Sequence, residues 1–287
     1  MILSIQDVVK TYGDYMAVNH VSLEVQKGSV FGMLGPNGAG KTSLIRMITT
    51  ITAPDSGTIY LDGAKLHSRS PEQIGYMPEE RGLYKKMKVG EQLLYLAQLK
   101  GLTKAKAQQE IDMWFEKFDI KDWWNKKVED LSKGMQQKIQ FIATVLHNPK
   151  LLILDEPFTG LDPINTNLIK DEIRQLNEAG TSIIFSTHRM EQVEEMCDHI
   201  VLINHGKNVL YGEVQSIKNE YKQNLFRIQT ETPLPEGFAS NHTIVEQNSH
   251  SVTVRLPDDS HSNRLLQELL QLGVRITRFE EILPTFN

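Results

Sequence analysis

With a single cysteine, Cys197, the chain can form no intrachain disulfide and no thiolate pair for a metal, which suits a reducing compartment. It also lacks any apolar run near the roughly 18 residues of a spanning helix, and no secretory leader pattern opens it. Work at a membrane would therefore be peripheral. There is no basic excess either. Lys and Arg number 31 against 36 Asp and Glu, a net charge of −5, so nothing in the overall charge asks for a nucleic-acid partner. Internal repeats and low-complexity tracts are absent, which sets aside solenoids and disordered linkers. At 287 residues and 40% hydrophobic, the chain suits one large domain and a small one.

What is present begins with Gly35-Pro36-Asn37-Gly38-Ala39-Gly40-Lys41-Thr42, followed by Ser43. This is the G-x-x-x-x-G-K-T pattern of a phosphate-binding loop. Ser29–Leu34 reads as a buried strand before it, and Ser43–Ile48 has helical apolar spacing after it. The glycines let backbone N–H groups and a helix N-terminus face an anion. Lys41 supplies a point charge for β- and γ-phosphates, and the Thr42 hydroxyl is placed for Mg²⁺. The loop implies a nucleoside triphosphate.

The second informative stretch is Leu151-Leu152-Ile153-Leu154-Asp155-Glu156-Pro157. Four apolar residues ending in Asp-Glu put two carboxylates at the C-terminal edge of a parallel strand, where α/β folds bind ligands. Asp155 suits Mg²⁺, and Glu156 suits orienting or deprotonating a water. His188 follows another buried run, Thr181–Ser186, and its imidazole suits the γ-phosphate or that water. Tyr12, between two N-terminal strands, either packs or stacks on a base.

The expected fold is α/β, a mainly parallel sheet with a helical insertion over about 89–147. Leu93, Leu94, Leu96, Ala97 and Leu99 are expected on one helix face, and Thr103 is expected to cap the next helix. Asn204-His205-Gly206 reads as a hairpin turn. Past about residue 220 a second set of signals marks a small α+β module over 221–287. Its helix is expected to start at a Ser260 cap and to close at Gly273.

Taken together, these residues resemble the ATP-binding cassette (ABC) ATPases over about residues 1–215. Leu131-Ser132-Lys133-Gly134-Met135 is similar to the family signature L-S-G-G-Q, Thr159–Pro163 resembles the D-loop, and Tyr12 stands where the family stacks an aromatic on adenine. The resemblance implies a P-loop ATPase core powering a membrane transporter, with ATP and Mg²⁺ as ligands. It implies two cassettes paired head to tail, a second copy or a paralogous ATPase, with integral membrane permease subunits as partners. Ser132, Lys133, Gly134, Met135 and Asp162 would then meet ATP in trans. The protein would sit at the cytoplasmic face of the membrane.

Lys133 replaces the first signature glycine, Met135 the glutamine, and Glu79 stands where the family has a glutamine that touches Mg²⁺ or the attacking water. Glu79 can still serve Mg²⁺, but it adds negative charge beside the γ-phosphate and implies slow turnover. The Glu79–Val89 wording and the C-terminal module look like the exporter-type ATPases of the sodium-extrusion and bacterial drug or peptide efflux group. Relatives of that kind continue a little past residue 287, so the module is expected to be cut short. The competing readings are a regulatory nucleotide sensor and a non-transport cassette ATPase.

Overall fold

A computed structural model describes residues 1–80, 82–231, 238, 242–257 and 261–282. The chain divides into two compact units, Met1–Glu213 and Val214–Asn287. The division comes before the polar helix that follows Glu213, one short helix earlier than the boundary expected at residue 220.

The first unit opens with β1 (Leu3–Tyr12) and β2 (Tyr15–Val25), an antiparallel pair. The fully buried strand β3 (Val30–Leu34) feeds the phosphate loop and α1 (Lys41–Ile48). β4 (Ser56–Leu61), β5 (Ala64–Lys65) and β6 (Ile74–Met77) follow. Then come the helices α2 (Val89–Leu99), α3 (Lys104–Lys117) and α4 (Lys133–Val145). The α/β pattern resumes with β7 (Leu151–Asp155), α5 (Pro163–Glu178), β8 (Ser182–Thr187), α6 (Met190–Met196), β9 (His199–Asn204) and β10 (Lys207–Glu213).

A six-stranded sheet, ordered β10-β9-β3-β8-β7-β6, carries the chemistry. Its strands from β9 to β6 are parallel, and only β10 turns back. Continuous Val, Ile and Leu runs are what two covered faces require. A four-stranded antiparallel sheet, β2-β1-β4-β5, packs its apolar side into the same core, so that Leu3, Ile5 and Val21 share a cluster with Phe31, Met33 and Ile184. Burying that apolar surface is the main stabilising term for this unit.

Within the helical insertion, Thr103 caps α3, its hydroxyl accepting from the Lys106 N–H at 3.3 Å. Ile111, Trp114, Phe115 and Phe118 are buried as the spacing predicts. The buried face of α2 differs from expectation. Leu93 and Ala97 are inside, whereas Leu99 is 62% exposed and Gln92 is buried in its stead. Two residues beyond Ala97 the helix has turned about 200°, and Gln92 is drawn in because its Oε1 accepts the Tyr84 N–H at 2.9 Å.

The second unit starts with α7 (Val214–Glu220) and forms a sheet ordered β12-β13-β11-β14 from β11 (Leu225–Thr230), β12 (Thr243–Gln247), β13 (Ser251–Arg255) and β14 (Ile276–Ile282). Helix α8 (Ser262–Gln271) adds Leu265 and Leu269 to a separate core with Ile228, Val252 and Val254. Its expected cap, Ser260, lies outside the described residues, and His261 occupies the N-cap position with no side-chain cap bond.

Candidate nucleotide-binding site

The phosphate loop runs from the end of β3 into α1, and its shape is fixed from behind. A side chain on Gly40, at φ 109°, would strike the Ala17 carbonyl oxygen, and one on Gly35, at φ 149°, would strike that of Ile203. The β9–β10 hairpin turn completes the support. Its Gly206 N–H donates to the Ala39 oxygen at 2.8 Å, and the Asn19 N–H donates to the Gly206 oxygen at 2.8 Å. His205 and Gly206 both have positive φ, the requirement of a tight primed turn. Thus a turn that reads in the sequence as mere punctuation braces the loop.

A cleft of about 190 Å³ opens over this loop. Asn37 through Ser43 line it on one side, and Glu79, Asp155 and Glu156 face them. Glu79 follows β6, while Asp155 ends β7 and Glu156 comes directly after it, so the parallel register of β6 and β7 brings the three carboxylates to one edge. Lys41 lies between loop and carboxylates, its Nζ donating to the Gly35 oxygen at 2.6 Å and the Pro36 oxygen at 3.1 Å. Burial pulls its ammonium below the ordinary value, while Asp155, Glu156 and Glu79 pull it back up. Burial likewise pushes the Asp155 carboxyl up. The Ser186 hydroxyl and Lys41 offset part of that rise, whereas Glu156 and Glu79 add to it. The site is therefore short of positive charge.

Glu156 is held more tightly than its sequence position suggests. It has φ 49°, a left-handed backbone that costs a non-glycine residue about 1–2 kcal/mol. The conformation is pinned by its N–H, which donates to the Ser186 oxygen at 2.9 Å. Thr187 Oγ1 donates to one carboxylate oxygen at 3.1 Å; the other accepts from the His188 N–H at 2.9 Å and from His188 Nδ1 at 2.6 Å. A carboxylate only accepts, so Nδ1 bears the proton. A neutral His188 in this pose has no donor left at Nε2. To donate to a phosphate, the half-exposed ring must gain a second proton or release Glu156.

Several expected site residues lie elsewhere. Tyr12 does not line the cleft. It ends β1 with its ring under the Lys10 ammonium at 5.6 Å, and Tyr15, opposite it in the ladder, takes the place on the wall. The Tyr15 hydroxyl donates to the Gly38 oxygen at 3.0 Å. Tyr15 and Ala17 are the wall residues that sequence reading missed. Alternation along β2, which puts both on one face, is the signal that could have found them.

The signature residues also stand apart. Ser132 is the exposed N-cap of α4, accepting the Met135 N–H at 3.3 Å, with Lys133 exposed beside it. Asp162 caps α5, accepting the Asn165 N–H at 3.0 Å. None of Ser132, Lys133, Gly134, Met135 and Asp162 borders the cleft. Gly134 faces Leu161 of the turn that leads into α5, so the two caps belong to one neighbourhood.

For a metal, the donor set is informative. No group of three or more His, Cys, Asp or Glu side chains that could hold an ion exists among the described residues. Thr42, Asp155 and Glu79 nonetheless offer hard oxygen donors around one cleft. That suits Mg²⁺, which shares its coordination among one or two carboxylates, substrate phosphates and water rather than filling an all-protein cage.

A braced phosphate loop at the end of one parallel strand, with a pinned carboxylate two strands away, defines the P-loop nucleoside-triphosphatase class. Comparison with known proteins narrows it. Residues 18–159 match the ABC transporter family, and residues 212–287 match the C-terminal domain of the DrrA1-3-like ATP-binding proteins. An uncharacterized ABC transporter ATP-binding protein of Bacillus subtilis, YhaQ, is 44% identical over 99% of this chain and 96% of its own. The Nod factor export ATP-binding protein I of Cupriavidus metallidurans is 37% identical over 74% of this chain and 71% of its own. Among solved structures, an ATP-binding subunit of an ABC transporter superposes with a TM-score of 0.72 at 28% identity, covering 77% of this chain and 93% of that one. The chain belongs to the ABC transporter family, as an ATP-binding, ATP-hydrolysing subunit.

Proposed function

We propose that the protein powers a membrane exporter as one of two cassettes that close head to tail around ATP. The observation that carries the pairing is an incomplete site. Ser132 and Lys133 expose the N-terminus of α4, a helix end favourable to an anion, yet none of residues 132–135 contributes to the cleft of their own chain. A second cassette, identical or paralogous, would bring that cap to the open side of the cleft, with Asp162 beside it.

In such a pair the phosphate loop and Lys41 hold the β- and γ-phosphates, and Tyr12, exposed at the end of β1 outside the cleft wall that Tyr15 forms, is left to stack on a base that projects beyond that wall. Thr42, Asp155 and Glu79 would hold Mg²⁺, which when bound would neutralise charge on the triphosphate. Glu156 orients the attacking water and accepts its proton, and His188 keeps that carboxylate aimed. Hydrolysis then loosens the pair, a ligand-driven two-state switch.

The permease subunits would dock at the helical insertion. An apolar groove of about 210 Å³ supports this, formed by Leu83 after the Glu79 loop, Leu96 and Leu99 of α2, and Ala143 of α4. No helix among the described residues is long and apolar enough to cross a membrane. In this reading partner chains build the pore, and this protein would sit at their cytoplasmic side. The exporter direction rests on the relatives, one of which is named for export.

The test is a detergent pull-down from native membranes of tagged Glu156→Gln protein locked with ATP. A multi-span membrane protein recovered with it is the expected result. Recovery of ribosomal or DNA-associated proteins, or of a soluble dimer alone, would overturn the reading.

A further inference from the structure

A cavity of about 420 Å³ lies within the second unit, more than twice the volume of the nucleotide cleft. It opens where the end of β13 and the first turns of α8 diverge. Its apolar floor is Leu256, Pro257 and Leu265, two of them part of the unit's core. At its rim stand Arg255 and Arg264, both exposed, with no ion-pair partner among the described residues. The cross-strand neighbours of Arg255 are Leu225 and Thr243, both uncharged.

Among the described residues the acidic side chain lining the cavity is Glu268, which stands one turn from Arg264 but is engaged elsewhere. It pairs with His242 Nε2 at 3.2 Å, and the His242 ring stacks on Phe238 at 4.6 Å between centroids. The cavity thus combines an apolar floor, two guanidinium groups with no ion-pair partner among the described residues, and a carboxylate whose hydrogen bond goes to His242. Its volume falls in the range of small-ligand sites, about 300–1,000 Å³. Guanidinium forks favour carboxylate, sulfonate or phosphate heads.

We propose that this cavity is a binding site for a small amphipathic anion, with the apolar body on Leu256, Pro257 and Leu265 and the anionic head between Arg255 and Arg264. It is separate from the nucleotide site and does not depend on the transport reading.

The experiment uses full-length protein and isothermal titration with octanoate, octanol and octylamine. Asp258 and Asp259, which lie outside the described residues, stay in place throughout. Octanoate is expected to bind once per chain and at least about tenfold tighter than the other two, the worth of a charge-assisted contact at a partly wet site. Arg255→Ala and Arg264→Ala should each weaken octanoate by about tenfold on the same ground. Both residues are exposed, so neither change should disturb the fold. Thr243→Trp, which fills the mouth from an exposed position on β12, should also reduce binding. Equal binding of octanol, unchanged affinity in both arginine variants, or no octanoate binding at millimolar concentration would each overturn the proposal.

Discussion

Changing Glu79 to glutamine isolates the least usual charge in the nucleotide site. The cleft already holds Asp155 and Glu156, and Lys41 is the cation that answers all three carboxylates. Glu79 is exposed, so its repulsion of a triphosphate is screened and falls between the bulk-water and protein-surface limits. For charges about 6 Å apart that amounts to about 1 kcal/mol, or about fivefold in affinity. Glu79→Gln should therefore bind a fluorescent ATP analogue about fivefold tighter in EDTA. With Mg²⁺ the gain should shrink or reverse, because the same substitution exchanges a charged carboxylate donor to the ion for a neutral amide oxygen.

Stability supplies an independent readout. Burial and its acidic neighbours hold the folded-state Asp155 carboxyl above its ordinary value of 3.8, so its ionised form opposes folding. That cost is absent below the ordinary value and develops as pH rises through the raised one. Glutamine at 79 removes one contributor. The variant should melt about 1–3 °C higher at pH 7 and lose the advantage in acid. An equal change in ATP affinity with and without Mg²⁺, or a melting gain that persists in acid, would refute the reasoning.

Gly40→Ala forces a side chain onto the Ala17 carbonyl at a left-handed backbone position. It should destabilise the protein by about 2 kcal/mol or more in thermal melts and abolish ATP binding. Tyr15→Phe frees the Gly38 carbonyl and should weaken ATP and inorganic triphosphate alike by about two- to threefold, since it acts on the loop. A loss confined to ATP would instead put Tyr15 on the base. His147, half-buried with Nε2 donating to the Ile74 oxygen at 3.1 Å, has its pKa lowered to about 4, chiefly by desolvation, with Lys100 adding to it. Its depressed folded-state value means that stability is present above the ordinary 6.5 and is lost as pH falls toward 4. His147→Gln should flatten that slope, by at most about 3 kcal/mol, in denaturant titrations across this range.

Sequence alone settled whatever follows from local chemistry. The loop from Gly35 to Thr42 is legible because only that spacing of glycines with Lys and Thr wraps a phosphate. Strands β3, β7 and β8 are legible because buried parallel strands must be apolar throughout, and their ends then locate Asp155, Glu156 and His188. The hairpin at Asn204–Gly206 is likewise local. Tertiary structure decided what depends on residues far apart in the chain. The bond between His188 and Glu156 requires the adjacency of β7 and β8. The support of Gly40 by Ala17 and Gly206 joins three distant segments, and only that packing puts Tyr15 on the cleft wall in place of Tyr12. The exposure of Leu99 was hidden for the same reason: helical spacing defines a face, but the loop that reached Gln92 chose which edge of it to bury. The cavity in the second unit was beyond sequence reading too, because Arg255 and Arg264 become neighbours of one space only when α8 folds back over the end of β13. Periodicity and motif report bonds along the chain and the faces they imply; which faces meet is a long-range question, answered by the burial of surfaces whose partners the sequence does not name.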